Sequence, residues 1–99
     1  MITSKVIVLG NKTQGHDACP PTPWQDNLST LTFIGSKPVV LLNSRAASHG
    51  CKDHSSHMPV LIEASSIVFS EGRGFARVGD VTDCGDKVLE TTDLEIFTV

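Results

Sequence analysis

The sequence has few charged residues, no excess of basic ones and no long hydrophobic run, and each of these features excludes a class of protein. Charged side chains make up 19% of its 99 residues, whereas disordered tails combine high net charge with low hydrophobicity. The formal net charge of −3 argues against a nucleic-acid partner, because phosphate binding needs a basic face. Apolar runs such as Val39 to Leu42 are far shorter than the ~18 residues that cross a bilayer, which argues against stable membrane insertion.

The first ten residues do not have the pattern of a secretion signal. Their apolar stretch, Val6 to Leu9, spans only four residues, too few for a signal peptide. We therefore expect synthesis in the cytoplasm. A length of 99 residues leaves room for one core and predicts a single domain over residues 1–99.

Helical periodicity is also missing, while β-branched residues are common. No window of 11 residues sustains the i, i+3, i+4 apolar pattern of an amphipathic helix. Val, Ile and Thr together supply 25 residues, and their stiff side chains suit a pleated surface. We predict an all-β fold with strands at Lys5–Leu9, Ser29–Ile34, Val39–Leu42, Val60–Glu63, Ile67–Ser70, Phe75–Val78 and Leu94–Val99.

A weak internal repeat divides the chain into similar parts. The segment Thr32–Val40 parallels Val68–Ala76, and Leu94–Val99 reads as a truncated third copy with only its first strand. Each copy is a strand, a glycine-containing turn and a strand, which predicts sheets built from hairpins. The copies place Phe33, Phe69 and Phe97 at matching positions, and we predict that all three lie in the core. For Trp24 we weigh two positions, a lid over the core and a ligand-stacking site.

All histidines and cysteines fall in three short windows, residues 15–19, 49–57 and 83–85. An odd number of cysteines, interleaved with histidines in a chain without a secretion signal, indicates a metal site rather than a disulfide. Zinc prefers four such nitrogen and sulfur donors in a tetrahedron. The spacing matches none of the common zinc-finger patterns, so other interpretations stay open. His54 taken alone can be solvated, and Cys19 or Cys51 can be a small buried apolar group.

The segment Gly72–Asp80, followed by Cys84-Gly85, resembles the signature of the PAAR-repeat proteins, Gly-x-Pro-Ala-Ala-Arg-Val-Gly-Asp with a Cys-Gly after it. Here Gly74 and Phe75 replace the Pro-Ala half of the tetrad, while Ala76 and Arg77 keep the other half. Upstream, Glu63–Phe69 is similar to the family strand that reads Gly-Ser-x-x-Val-Phe. The resemblance extends from Gly15 to Gly85, and the compact size looks most like the phage baseplate version.

This resemblance implies a small conical β-domain of short hairpins with long metal-binding loops. It also implies a zinc near the apex, held by three histidines and one cysteine. The matching residues in this chain are His16, His49, His57 and Cys84, with His54 as the competitor of His57 for the third position. Such a set would fill all four tetrahedral positions, so the site would be structural.

The resemblance further implies a non-enzymatic tip that caps the trimeric β-helical central spike of a contractile machine and helps it pierce the target envelope. We expect the chain to be a monomer alone and to bind as one copy per trimer. The spike would be that of a phage or the valine-glycine repeat spike protein of a type VI secretion system. The tip would accordingly lie on the virion at the tail baseplate, or be secreted by the type VI system.

A small zinc-dependent hydrolase with an open metal site is the alternative. It would need a general base, for which Asp17, Asp53 or Asp83 could serve. Against it stands the absence of a His-Glu-x-x-His motif. Four protein ligands on the metal would support the tip, and three ligands plus a water would support the enzyme. A redox-sensing thiol module is weaker still, since the sequence has no Cys-x-x-Cys.

Overall fold

The computed structural model of the chain describes residues 4–16, 18–51, 54–89 and 97–99, without the side chains of Cys51 and His54. Within these ranges the regular structure is β, as predicted, in strands of two to four residues. In chain order these are β1 (Ser4–Lys5), β2 (Trp24–Asp26), β3 (Phe33–Ile34), β4 (Lys37–Pro38), β5 (Arg45–Ala46), β6 (His49–Cys51), β7 (His54–His57), β8 (Phe69–Ser70), β9 (Arg73–Gly74) and β10 (Phe97–Thr98). No helix of the described residues is long and apolar enough to span a membrane.

The strands pair antiparallel, two by two: β1 with β10, β2 with β5, β3 with β4, β6 with β7, and β8 with β9. The predicted strands Val39–Leu42, Val60–Glu63 and Phe75–Val78 are wrong, because the chain there pairs only through single bridges, and Lys5–Leu9 and Ser29–Ile34 are shorter than predicted. Val39, for instance, forms a bridge with Val8, and Leu41 forms one with Phe75. Of the predicted strand Leu94–Val99, residues 94–96 lie outside the described part of the chain.

Three similar copies make up the described fold, over residues 4–24, 29–61 and 65–88. The amides of Gly10, Asn43 and Gly79 donate to the carbonyls of Trp24, Leu61 and Val88, one pair in each copy. In turn, the amides of Trp24, Leu61 and Val88 donate to the carbonyls of Asn11, Ser44 and Asp80. Equivalent hydrogen bonds at equivalent positions show that the sequence repeat is a structural repeat.

The copies close into a ring with pseudo-threefold symmetry. Gln14 of the first copy donates its amide to Lys87 of the third at 2.8 Å. Equivalent bonds run from Ala47 to Pro23 at 2.8 Å and from Asp83 to Val60 at 2.9 Å. Each copy therefore contacts both others, although all three belong to one chain.

Two ends of the chain together build one hairpin of this ring. Phe33 pairs with Pro38 in the second copy, and Phe69 pairs with Gly74 in the third. In the first copy the same pair is Phe97 with Lys5. The truncated repeat at the C-terminus is thus completed by β1, which the sequence pattern did not reveal.

A core of two residue triplets lies inside the ring. Ile7, Val40 and Ala76 occupy one equivalent position, and Trp24, Leu61 and Val88 occupy another. All six are at most 1% exposed and pack in one cluster with Ala46. Trp24 is therefore a core residue rather than a lid or a stacking platform.

The prediction that the three repeat phenylalanines belong to the core is wrong. Phe33, Phe69 and Phe97 are 50%, 55% and 56% exposed. Successive side chains of a strand point to opposite faces, and Ile34 packs against the apolar cluster of Val6, Val8, Val39 and Leu41. Its neighbour Phe33 consequently faces solvent, and the equivalent phenylalanines do the same.

The Arg-Val-Gly-Asp segment forms a self-contained clasp before Cys84. Asp80 accepts hydrogen bonds from the Arg77 amide at 2.7 Å and from the Arg77 guanidinium at 2.9 and 3.1 Å. The guanidinium also donates to the Ala64 carbonyl at 3.1 Å. Burial raises the pKa of Asp80, with the Arg77 bonds acting in the opposite direction. These hydrogen bonds fix the turn that precedes Cys84, the last metal-ligand candidate along the chain.

A second clasp connects two copies through Glu71. Its carboxylate accepts from the Ser29 hydroxyl at 2.6 Å, the Thr30 amide at 2.9 Å and the Ser70 hydroxyl at 3.1 Å. The hydrogen bonds from Ser29, and next those from Thr30, lower the pKa of Glu71 from 4.5 to about 2. The ionised carboxylate thereby links the second copy to the third.

We predict that Glu71→Gln reduces the acid sensitivity of the fold. Because the folded-state pKa is lowered, the clasp stabilises fully above pH 4.5 and is lost as the pH falls towards 2. The amide cannot accept all these bonds, so the variant should be less stable at neutral pH and converge with the parent protein near pH 2. Urea unfolding midpoints across this range measure the effect. Glu63→Gln, an exposed carboxylate outside the clasp, is the control, and an equal change in both variants would contradict the assignment.

Candidate metal centre

Each copy contributes one apex loop, and these three loops bring the metal-ligand candidates together. The apex loops are residues 14–21, 47–58 and 83–85. Each is closed at its base by one backbone hydrogen bond: Thr13 to Thr22 at 2.9 Å, Ala46 to Pro59 at 2.9 Å and Thr82 to Asp86 at 2.8 Å. Two hydrogen-bonded residues thus anchor the base of each loop, and within the second loop the β6–β7 pair adds further order.

Four side chains of these loops converge: His16, His49, His57 and Cys84. One ligand atom of each lies within 4.8 Å of the others, a grouping that could hold a metal ion. His49 and His57 are cross-strand partners in the β6–β7 pair, which places their side chains side by side. His16 belongs to a tight turn in which its backbone exchanges hydrogen bonds with Cys19 at 2.7 and 3.2 Å.

The three imidazoles meet through their Nε2 atoms. The Nε2 of His49 lies 2.9 Å from that of His57 and 3.1 Å from that of His16, and the His16–His57 distance is 3.3 Å. Zn–N bonds of ~2.05 Å at tetrahedral angles place two nitrogens about 3.3 Å apart. The spacing of the donors therefore fits a tetrahedral ion.

Hydrogen bonds at the opposite ring nitrogens select the tautomer that a metal needs. The Nδ1 of His49 lies 2.9 Å from the Pro20 carbonyl, and the Nδ1 of His57 lies 2.8 Å from the Ser55 carbonyl. A carbonyl only accepts, so in both rings the proton belongs on Nδ1 and donates to it. The Nε2 lone pairs are then directed at one point, where a cation would be bound by them.

The cysteines divide between two roles. Cys84 is a free thiol, 3.3 Å from the Thr82 hydroxyl, and is the sulfur member of the group. Cys19 is buried and disulfide-bonded. The interpretation of the cysteines as a metal site rather than a disulfide is therefore wrong for Cys19, where the odd cysteine count concealed the bond. The side chains of Cys51 and His54 lie outside the described part.

The candidate general bases of the hydrolase alternative have little support. Asp17 and Asp53 lie outside the described residues. Asp83 is exposed, and its Oδ1 accepts from the Val60 amide at 3.1 Å. Three nitrogens and one sulfur would fill the four positions of a tetrahedral ion and leave none for water or substrate. The arrangement can hold an ion that cross-links the three apex loops.

Comparison with known proteins agrees with this geometry. Residues 14–90 match the family model described as PAAR motif. The match covers more than half of the chain and contains all three apex loops. It confirms the resemblance seen at Gly72–Asp80 and Cys84-Gly85. No curated protein sequence matches the chain.

The first apex loop depends on Gly15 for its shape, and this gives a prediction. Gly15 has φ of +81°, and an added Cβ would lie 2.7 Å from the Cys19 carbonyl oxygen and 3.1 Å from the Pro21 nitrogen. Gly10 has φ of +87° with nothing within 4 Å of its Cβ position. We expect Gly10→Ala to cost about 1 kcal/mol for its backbone conformation alone. Gly15→Ala should cost at least about 1 kcal/mol more, because backbone atoms must also move. Chemical unfolding compares the two, and equal losses would contradict the steric argument.

Proposed function

Because the chain belongs to the PAAR-motif family, we propose that residues 1–99 form a single spike-tip domain. It caps a trimeric β-helical spike and helps it to pierce an envelope. The family supplies the structural tip of puncturing machinery in phages and secretion systems. The setting is therefore a contractile machine, either a phage tail, where the protein is part of the virion, or a type VI system that secretes it.

The observation that carries this proposal is a pseudo-threefold apolar surface on one chain. Phe33, Phe69 and Phe97 occupy equivalent hairpin positions and are each at least half exposed. Leu31 and Ile67, two residues before Phe33 and Phe69, are 76% and 61% exposed. We name these five residues the docking face. Large apolar side chains exposed at three equivalent positions are the pattern that we expect of an interaction site for a threefold partner.

A trimeric partner explains why three copies stand in one chain. A true threefold spike presents three identical contact surfaces around its axis, and each can receive one phenylalanine of the docking face. The match requires one tip per trimer, because a second copy would find those surfaces already occupied. The strands of each two-stranded hairpin would add main-chain contacts by strand addition.

Zinc is the metal that suits the apex loops best. Imidazole and thiolate ligands in a tetrahedral set favour it, whereas calcium and magnesium prefer oxygen ligands. In zinc-finger peptides structural zinc contributes on the order of 10–16 kcal/mol at neutral pH. The core of a small domain supplies only about 3–5 kcal/mol. A closed site of this kind would make the apex rigid without any catalytic role.

We predict one zinc per chain, bound through His57 and not through His54. His57→Ala removes one of four donors, so zinc content measured by elemental analysis after mild chelation should fall from about one to near zero, with a large loss of thermal stability. His54→Ala, in the same β7 strand, is the matched control and should retain the metal. A protein without metal, a coloured iron protein, or zinc loss from His54→Ala alone would each contradict the assignment.

We predict that the docking face binds the spike with three similar contributions. Each of Phe33→Ser, Phe69→Ser and Phe97→Ser should weaken binding to a trimeric β-helical spike by about 10–150-fold, since a buried phenylalanine contributes about 1.5–3 kcal/mol. The triple variant should bind at least about 1000-fold more weakly and still retain its zinc.

The matched control for these variants is the pair Ile62→Ser and Leu89→Ser, which are 57% and 40% exposed outside the docking face. Calorimetry measures the affinities. Light scattering should find a 10.6 kDa monomer alone and one copy per spike trimer. A stable free trimer, three copies per spike, or weakening by the control pair alone would contradict the docking model.

A further inference from the structure

Asp86 is a buried carboxylate that neither the fold nor the four candidate ligands account for. It is 1% exposed and lies at the base of the third apex loop, two residues after Cys84. Its Oδ1 accepts from the Lys87 amide at 2.7 Å. Its Oδ2 is buried with no hydrogen-bond partner. A buried carboxylate oxygen without a partner is costly, and a positive charge nearby would offset that cost.

The pseudo-threefold repeat shows that the fold does not need a carboxylate here. The equivalent residues at the bases of the other apex loops are Thr22 and Pro59, both buried and both uncharged. All three carbonyls accept the same loop-closing hydrogen bond. Three different residues therefore fill the same backbone role at this position, so closing the loop does not need the charge of Asp86. We look for the function of that charge in the surroundings of Asp86.

Those surroundings are the metal-ligand candidates. The Oδ2 of Asp86 lies 4.0 Å from the Nδ1 of His49, and both side chains are fully buried. The Nδ1 proton is directed at the Pro20 carbonyl at 2.9 Å, so the carboxylate acts on the ring through charge rather than through a hydrogen bond. On the other side, the Asp86 carbonyl accepts from the Thr82 hydroxyl at 3.0 Å, which in turn lies 3.3 Å from the Cys84 sulfur.

We propose that Asp86 is a positioning residue of the metal centre that supplies the charge needed for tight divalent binding. A divalent ion with three neutral imidazoles and one thiolate keeps one net positive charge in a buried place. The carboxylate of Asp86 neutralises it, and the ion relieves the carboxylate of its unpaired burial. Residues beyond the ligands typically change metal affinity by 10–100-fold when altered. The proposal rests on zinc binding by His16, His49, His57 and Cys84.

The experiment is chelator competition for zinc on the full chain, with Asp86→Asn beside the parent protein. We expect about 10–100-fold weaker binding in the variant, and a shifted thiolate-to-metal absorption band when cobalt replaces zinc. Asp86→Ser, which removes the charge without introducing an amide, should weaken zinc binding to a similar extent. If Asp86→Asn does not fold, the zinc affinity of Asp86→Ser tests the proposal instead.

Two controls separate a charge effect from a structural one. Thr22→Val alters the equivalent loop base, where Thr22 Oγ1 is likewise buried without a partner, and should leave zinc affinity within about twofold. Asp83→Asn removes one exposed charge next to Cys84 and should do the same. If both Asp86 variants bind zinc as tightly as the parent protein, or if the controls lose as much zinc affinity as the Asp86 variants, the role of Asp86 is overturned. Zinc binding by the parent protein would be unaffected by either result. A parent protein that binds no zinc would overturn the metal centre itself, and the proposal with it.

Discussion

The pairing of β1 with β10 is the constraint on which the threefold symmetry of the hairpins depends. It joins Lys5 to Phe97 and Ser4 to Thr98, so the hairpin of the first copy is assembled from both ends of the chain. Without it the first copy would lack the phenylalanine strand that the other two contain, and the docking face would lack Phe97. Since each hairpin strand has only two residues, this closure contributes little pairing energy of its own. The ring must therefore be stabilised by its core and by the contacts between copies.

The core that stabilises the ring consists of two sets of three equivalent residues. Ile7, Val40 and Ala76 form one layer and Trp24, Leu61 and Val88 the other, and their sizes differ widely around the ring. The bulk of Trp24 fills the space that a symmetric set of aliphatic residues would leave. Packing of this kind is dense but small, and it does not extend into the apex loops, where His and Ser replace apolar residues. This division explains why a metal is the suitable source of order at the apex.

Sequence reasoning anticipated this architecture where the signals are local. The repeat segments Thr32–Val40 and Val68–Ala76, each with a glycine-containing turn, predict hairpins, which the structure contains as β3–β4 and β8–β9. The partner of Phe97 was not predictable, because Ser4 and Lys5 have no turn signal and lie at the other end of the chain. The exposure of Phe33 was missed for a different reason. In a strand of two residues one side chain faces the core, and that position belongs to Ile34.

The metal-ligand candidates came from family resemblance, since their spacing fits no local rule, and the cysteine count obscured the disulfide of Cys19. The departure from the family tetrad, by contrast, has a local explanation. At Gly74 a Cβ would overlap the Ser65 carbonyl oxygen, so a side chain there would require that carbonyl to move. In the second copy the equivalent position is Pro38, which pairs with Phe33 in the same register.

The threefold symmetry breaks at the apex, because the four candidate donors come from three loops. The first loop offers His16, the third offers Cys84, and the second, the longest, offers both His49 and His57. The bases of the loops differ accordingly, with Thr22, Pro59 and Asp86 at one equivalent position. At the hairpins the same chain keeps a phenylalanine in all three copies. The repeat is thus conserved within the chain where a threefold partner would require equal contacts, and it diverges where a tetrahedral ion requires unequal ones.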